Sequence, residues 1–382
     1  MTTVGAVKPV VGKVKHRVKD AIWNKNWTPE QVKNYVGTYQ RCYFTYAADT
    51  ELRGNAASGG STSALLVYML QSGQIDGALV LGSKIENGGV RPEFFIARTR
   101  EEVMAAQGSK YAAVFFAATA LPQIKAFEGR LAVVALPCDA KILHQYRLKH
   151  PEIDEKIKLV ITLTCGHNSE PELTRLVVQK LNREEHGDLS DYRFREGHWR
   201  GQLKAQFEDG TQVVKPFSYF SDYQNLYFFA QQKCHHCFDH FGYYSDISSG
   251  DIWSPRMKVN PVKHTALITR TDRGQALVEA ALQAGALCGQ QEPIDEVLDG
   301  QARTMPFHYN VTSRARLGKR LAGVNIKART EEKVRLVDYA IAALALINER
   351  VYRTKTGKAI IMRLPRPVLK AYLFLFKLLE SF

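Results

Sequence analysis

Two hydrophobic periods alternate along this chain. Short apolar, β-prone runs recur at residues 40–47, 75–82, 94–97, 131–136, 158–164 and 266–271. Between them lie stretches with helical spacing, including alanine-rich segments at 276–284 and 330–350. Thr28-Pro29-Glu30-Gln31 is a helix start, with Thr28 as N-cap and proline in the first turn; the pattern predicts a helix to about Tyr35, closed by Gly37. Apolar strands alternating with helices predict an α/β fold, a mostly parallel, helix-covered sheet. From Tyr192 the pattern shifts to strict alternation, and Asp209-Gly210 reverses the chain into Gln212-Val213-Val214, an inserted β-hairpin region. Residues 360–382 pair apolar positions with Arg363, Arg366, Lys370 and Lys377 in a basic amphipathic helix. Three segments follow: a basic arm and short helix (1–39), a main domain (40–290) and a C-terminal helical extension (291–382).

Composition changes this picture in one respect. The 382 residues are 45% hydrophobic, ordinary for a globular protein, but the net charge is +14. That charge favours an acidic partner: nucleic acid, an anionic membrane surface, a small acidic redox protein or a phosphorylated cofactor. Much of it lies near the two ends, at Lys8 to Lys19 and Arg353 to Lys377, which argues against nucleic acid. The first residues lack an apolar signal core, and no run of about 18 apolar residues offers a membrane span, so the expected place is the cytoplasm. The terminal helix has two readings, an anionic membrane surface or docking on the protein's own core or on a partner subunit.

The candidate chemistry lies in two places. Ala56-Ala57-Ser58-Gly59-Gly60-Ser61-Thr62 runs straight into an apolar helix, which exposes backbone N–H groups and the positive end of a helix dipole to a planar or phosphorylated ligand. Gly108-Ser109-Lys110-Tyr111 adds one cation beside a glycine turn. Separately, Cys234 and Cys237 form a C-x-x-C chelate, which needs two more ligands for a metal centre. Cys138 and Cys165 each follow a strand end, where ligands gather in such sheets. All four sulfurs meet if residues 233–251 fold over the same edge. Cys42 reads as a buried small hydrophobe, and Cys288 has no partner motif. On spacing alone three readings remain: zinc on Cys234, Cys237 and a histidine among His235, His236 and His240; a dithiol pair; or an iron–sulfur cluster on four thiolates.

The order of these motifs resembles the coenzyme F420 hydrogenase/dehydrogenase beta subunit family, flavin and iron–sulfur oxidoreductases. The matching stretches run from Arg53 through Ala56 to Thr62, Gly108 to Tyr111, Leu136 to Cys138 and Thr164 to Gly166. They continue at Arg195 to Gly201, Lys233 to Asp239 and Asp246 to Trp253. The resemblance implies FAD and one 4Fe-4S cluster, the latter on Cys138, Cys165, Cys234 and Cys237. It implies Ser58, Gly59, Gly60 and Thr62 against the flavin, with Lys110 near its ring or phosphates. Members reduce a deazaflavin, act on tetrapyrroles or accompany polysaccharide synthesis, so the small organic substrate stays open. Many members begin with a ferredoxin-like cysteine segment, whereas no cysteine here precedes Cys42. That departs from the tetrapyrrole reductases and implies electrons supplied by an acidic ferredoxin or a donor subunit. The reading from another class is a zinc-stabilised accessory protein without enzymatic activity, held at a membrane surface by the terminal helix.

Overall fold

The computed structural model describes residues 26–328 and 333–381. The basic run at Lys8 to Lys19 therefore lies outside the described residues. Eleven strands are described: β1 (Arg41–Ala47), β2 (Gly77–Glu86), β3 (Gly89–Ala97), β4 (Leu131–Ala135), β5 (Ile157–Leu163), β6 (Leu189–Glu196), β7 (Gln202–Phe207), β8 (Gln212–Pro216), β9 (Ile247–Asp251), β10 (Thr265–Thr269) and β11 (Leu287–Gln291). Eight of them form one sheet in the order β11-β1-β10-β9-β5-β4-β2-β3. Its centre, β9-β5-β4-β2, is parallel, and antiparallel pairs flank it on both sides. The α/β expectation holds, and five of the eight strands run in one direction.

Strand periodicity explains how the sheet is covered. Ala78, Val80, Ala132, Leu159 and Ile161 point to one face and pack against the helices Ser61–Gln71 and Asp272–Gln283. Their neighbours Leu79, Leu131, Val133 and Val160 point the other way, against Pro137–Arg147 and Pro151–Lys156. Both faces are buried, so these strands read as nearly continuous apolar runs. Cys42 is a core residue of β1, where burial pushes its thiol up to about 12. Cys288 falls in the edge strand β11.

The predicted hairpin is the three-stranded sheet β6-β7-β8. It shares an apolar core with Pro171–Leu181, with the aromatic segment 220–229 and with the C-terminal helices Leu336–Tyr352 and Arg366–Glu380. The helix Pro29–Val36 forms as read, with Thr28 and Gln31 capping each other's backbone and Gly37 at φ 77°. The terminal segment departs from its reading as one helix. Pro365 divides it into Lys355–Arg363 and Arg366–Glu380, because proline supplies no backbone donor and forces its predecessor out of helical geometry.

Candidate functional site

A cavity of about 330 Å³ opens beyond the carboxyl ends of β4, β5 and β9. Leu136, Thr164, Cys165, Gly166, Gly250 and Asp251 come to it from those strand ends. Its wall is the small-residue segment. Ser58, Gly60, Thr62 and Lys110 line it. Gly60 caps the helix Ser61–Gln71 at φ 80° with no side-chain bond to the first turn, so the amide donors there remain available to a ligand. Thr62 Oγ1 and Ser249 Oγ share a hydrogen bond of 2.8 Å, which ties the helix start to β9. The Ser58 hydroxyl donates to the His264 carbonyl at 2.8 Å.

Gly59 is not a lining residue. Its amide donates to Thr265 Oγ1 at 3.0 Å, and a β-carbon there would stand 2.7 Å from the Thr45 carbonyl oxygen. Glycine is needed at this position so that the loop can lie on β1 and β10, behind the cavity. Lys110 donates from Nζ to the carbonyls of Ala106 and Gln107, and burial, with help from Arg193, pushes it down to about 7.

Arg195 and Asp251 complete the wall, and residue reading gave Arg195 no role. The Arg195 guanidinium meets the Asp251 carboxylate at 2.7 and 2.8 Å, donates to the Ala57 carbonyl at 2.6 Å and stacks on Trp253. One buried fork thus joins β6, β9 and the small-residue segment. Two further acids of the matching stretches, Asp246 and Asp239, build local structure. Asp246 accepts from the Val160 amide, Thr271 and Arg273, and Asp239 accepts from the amides of Gly242 and Tyr243.

The four cysteines lie where the cavity meets the aromatic segment. Cys138 is in the first turn after β4, Cys165 follows β5, and Cys234 and Cys237 sit in and just after the 3₁₀ turn Gln232–His236. The Cys165 amide donates to the His240 carbonyl at 3.0 Å, and the Asn168 amide points at Cys234 Sγ at 3.4 Å. Burial, followed by the charges of Cys234, Cys138 and Cys237, drives the Cys165 thiol well above its ordinary value. The other three thiols are raised as well, each first by burial. Four desolvated sulfurs that feel one another resist ionisation unless a cationic centre joins them.

This donor set fits an iron–sulfur cluster. A cubane offers a separate iron to each thiolate, whereas zinc draws its ligands to one point. Among the described residues no three His, Cys, Asp or Glu groups converge as a single ion requires. The histidines of the turn are neighbours: the His235 side chain is buried toward Tyr227, and His236 is exposed.

Two regions match the family described as coenzyme F420 hydrogenase/dehydrogenase, beta subunit: residues 42–121 match its N-terminal part and residues 128–294 its C-terminal part. The chain belongs to this beta-subunit family. It is 28% identical over 277 residues to the coenzyme F420 hydrogenase subunit beta of Methanothermobacter thermautotrophicus, covering 69% of this chain and 88% of that relative. The same-named protein of Methanosarcina barkeri is 24% identical over 277 residues, 70% of this chain and 86% of the relative. A solved F420-reducing [NiFe] hydrogenase complex from Methanosarcina barkeri contains a chain with the same fold. That likeness has a TM-score of 0.57 and 23% identity, and covers 78% of this chain and 98% of that one. The family is one of oxidoreductases, and the relatives named here are subunits of larger enzymes.

Both family regions end before a residue that sequence reading missed altogether. Arg314, fully buried in the helix Thr312–Ala322, donates Nε to the His235 carbonyl at 3.1 Å. Its Nη2 reaches the Cys237 and His308 carbonyls at 3.1 and 3.0 Å, and Nη1 bonds the Phe307 carbonyl. The cysteine turn is therefore clamped by a guanidinium from outside the family regions. Lys233 adds a second cation. Although burial opposes it, Cys138 and Asp139 hold its ammonium above the ordinary value.

Proposed function

We propose that this protein is an iron–sulfur flavoprotein oxidoreductase that draws electrons from an acidic ferredoxin or a donor subunit and delivers them to a small organic substrate. Cys138, Cys165, Cys234 and Cys237 hold one 4Fe-4S cluster, and FAD occupies the cavity behind Ser58, Gly60, Thr62 and Lys110. When bound, the cluster supplies one-electron chemistry, and the flavin links it to two-electron chemistry. The observation that carries this reading is the position of Cys165, which lines the cavity and follows β5, the strand beside the β4 end that leads to Cys138.

The chain's own residues bind, orient and exclude water. The first turn of Ser61–Gln71 offers amide donors to a phosphate or to a ring carbonyl. The Arg195–Asp251 fork ties the small-residue segment to β6 and β9 and keeps its charges paired. Lys110 holds a proton at Nζ that burial makes easy to release near neutral pH. The net charge of +14 suits docking of an acidic donor by charge complementarity.

Anaerobically purified protein tests the reading. The expected content is about four irons and one flavin per chain, with flavin absorbance that bleaches on reduction and returns when an acceptor is added. The deazaflavin coenzyme F420, after which the relatives are named, is the first acceptor to try. Stoichiometric zinc with neither iron nor flavin would overturn the proposal.

A further inference from the structure

We infer that the C-terminal helix Arg366–Glu380 is a docking face for an anionic lipid bilayer, on which the chain rests without crossing it. Of the two sequence readings of this helix, docking on the protein's own core describes one side of it. Leu369, Leu373 and Phe376 are buried in the core shared with the aromatic segment, so the helix is anchored to the protein. At 3.6 residues per turn, Val368, Phe374, Leu375 and Leu378 fall on the far side. They are 51, 69, 50 and 41% exposed. A docked surface helix normally turns polar residues outward; this one turns out a phenylalanine and three aliphatic residues in a continuous stripe.

Charge says what covers the stripe. From Arg353 to Ser381 the sequence holds seven cations and one acid, Glu380. That acid is buried and paired with Arg303 at 2.6 Å. Some of the cations serve the fold: Lys358 pairs with Glu172, and Arg366 stacks on Tyr219 and faces Asp222. Lys355, Arg363 and Lys370 are exposed and make no ion pair among the described residues. An apolar stripe with exposed cations on the same helix and the one before it is what the interface of an anionic bilayer accepts, acyl chains taking the stripe and headgroups the cations. Pairing of this face with a second copy would bring two sets of cations together without an exposed acid on the segment to offset them. The match to the beta-subunit family ends at residue 294, so this helix lies outside the family regions. Among the described residues no helix is long and apolar enough to span a membrane, so the contact is peripheral.

The test uses full-length protein and sedimentation with vesicles of phosphatidylcholine alone or mixed with phosphatidylglycerol. Binding is expected to the mixed vesicles, falling as salt rises, with little on phosphatidylcholine. Phe374→Glu together with Leu375→Glu should weaken it about tenfold or more, since both the insertion and the charge balance are lost. Arg363→Glu with Lys370→Glu should do the same and should also flatten the salt dependence. Val259→Glu, which changes an 82% exposed apolar residue on the helix Pro255–Val259, should change nothing. Unaltered mobility in gel filtration shows that the variants fold. Absent or salt-independent vesicle binding would refute the inference. So would a wild-type dimer that Phe374→Glu converts to monomer, or an acidic protein partner that Lys370→Glu releases, because the face would then serve protein. None of these readouts depends on cofactor content, so the inference stands or falls apart from the proposed chemistry.

Discussion

The wall of the cavity and the turn that carries Cys234 and Cys237 meet around Cys165, yet they are built in opposite ways. The wall is local in sequence: eight consecutive small residues, Ala56 to Ser63, lie on β1, β9 and β10 through hydroxyl and amide hydrogen bonds. The turn is held from a distance, by a buried guanidinium some 77 to 79 positions away along the chain. A wall made of backbone and small side chains brings a flat ligand close. Its demands are on size, and single hydroxyls matter little. A turn made of buried thiols depends on a compensating charge, and single residues matter a great deal. Substitutions on the two sides should therefore differ in severity.

The largest effect should come from the residue the two regions share. Cys165→Ser keeps the volume but removes a soft ligand, and iron content measured anaerobically should fall to near zero. If iron stays at the wild-type level while flavin is lost, Cys165 belongs to the wall alone and the pairing of the two regions fails. Arg314→Ala comes next. It strips four buried carbonyls of a charged donor, a loss of about 3 kcal/mol or more in unfolding free energy, read by urea denaturation at fixed iron content. Arg314→Lys should recover only part, because an ammonium cannot span the same fork. Equal stabilities for all three proteins would remove the contrast with the wall.

The same contrast decides what could be read from sequence. Cys138 and Cys165 were legible because apolar strand runs stop just before them, and strand ends are where an α/β sheet gathers ligands. The small-residue run was legible because it is contiguous. Ile247–Asp251 was not. Ile-Ser-Ser-Gly-Asp has little strand propensity, and it is a strand because β5 and β10 hold it from both sides. Gly250 shows why the composition is so small: a β-carbon there would collide with the Thr164 side chain. Arg314 is one of 52 lysines and arginines, in a helix of ordinary basic composition, and nothing within several residues distinguishes it. Charge compensation over such a separation is a property of the folded chain alone. Gly59 was misplaced for a related reason: a glycine beside a ligand and a glycine beside another strand look identical in sequence.

Lys110 offers a test within the wall that depends on pH. Its folded value lies near 7, pushed down by burial, against an unfolded value of about 10. Between those limits the folded chain binds fewer protons than the unfolded chain, so stability rises with pH. The cost of keeping the cation buried is complete below about pH 7 and is relieved as the amine deprotonates. Relative to Lys110→Met, the flavin-free protein should gain on the order of 2 kcal/mol between pH 7 and 9, measured by denaturation at each pH. A flat difference would mean that the two backbone carbonyls keep the ammonium charged, and the wall would then hold a permanent cation as the turn does.

The smallest effects separate size from polarity inside the wall itself. Gly59→Ala forces a methyl group to 2.7 Å from the Thr45 carbonyl and 2.9 Å from the Thr265 amide. The loop must shift, at about 1–3 kcal/mol, and flavin content should drop with it because Ser58 and Gly60 move too. Ser58→Ala removes one hydrogen bond, to the His264 carbonyl, and should lose only about 1 kcal/mol, with flavin retained. Thermal midpoints and flavin absorbance of the two variants, read side by side, test this directly. Should Ser58→Ala prove the more damaging, the hydroxyl would be a ligand contact and the wall would recognise its occupant by side chains. The opposite order leaves recognition to the backbone, which is what a run of glycine, alanine and serine at a helix start is suited to provide.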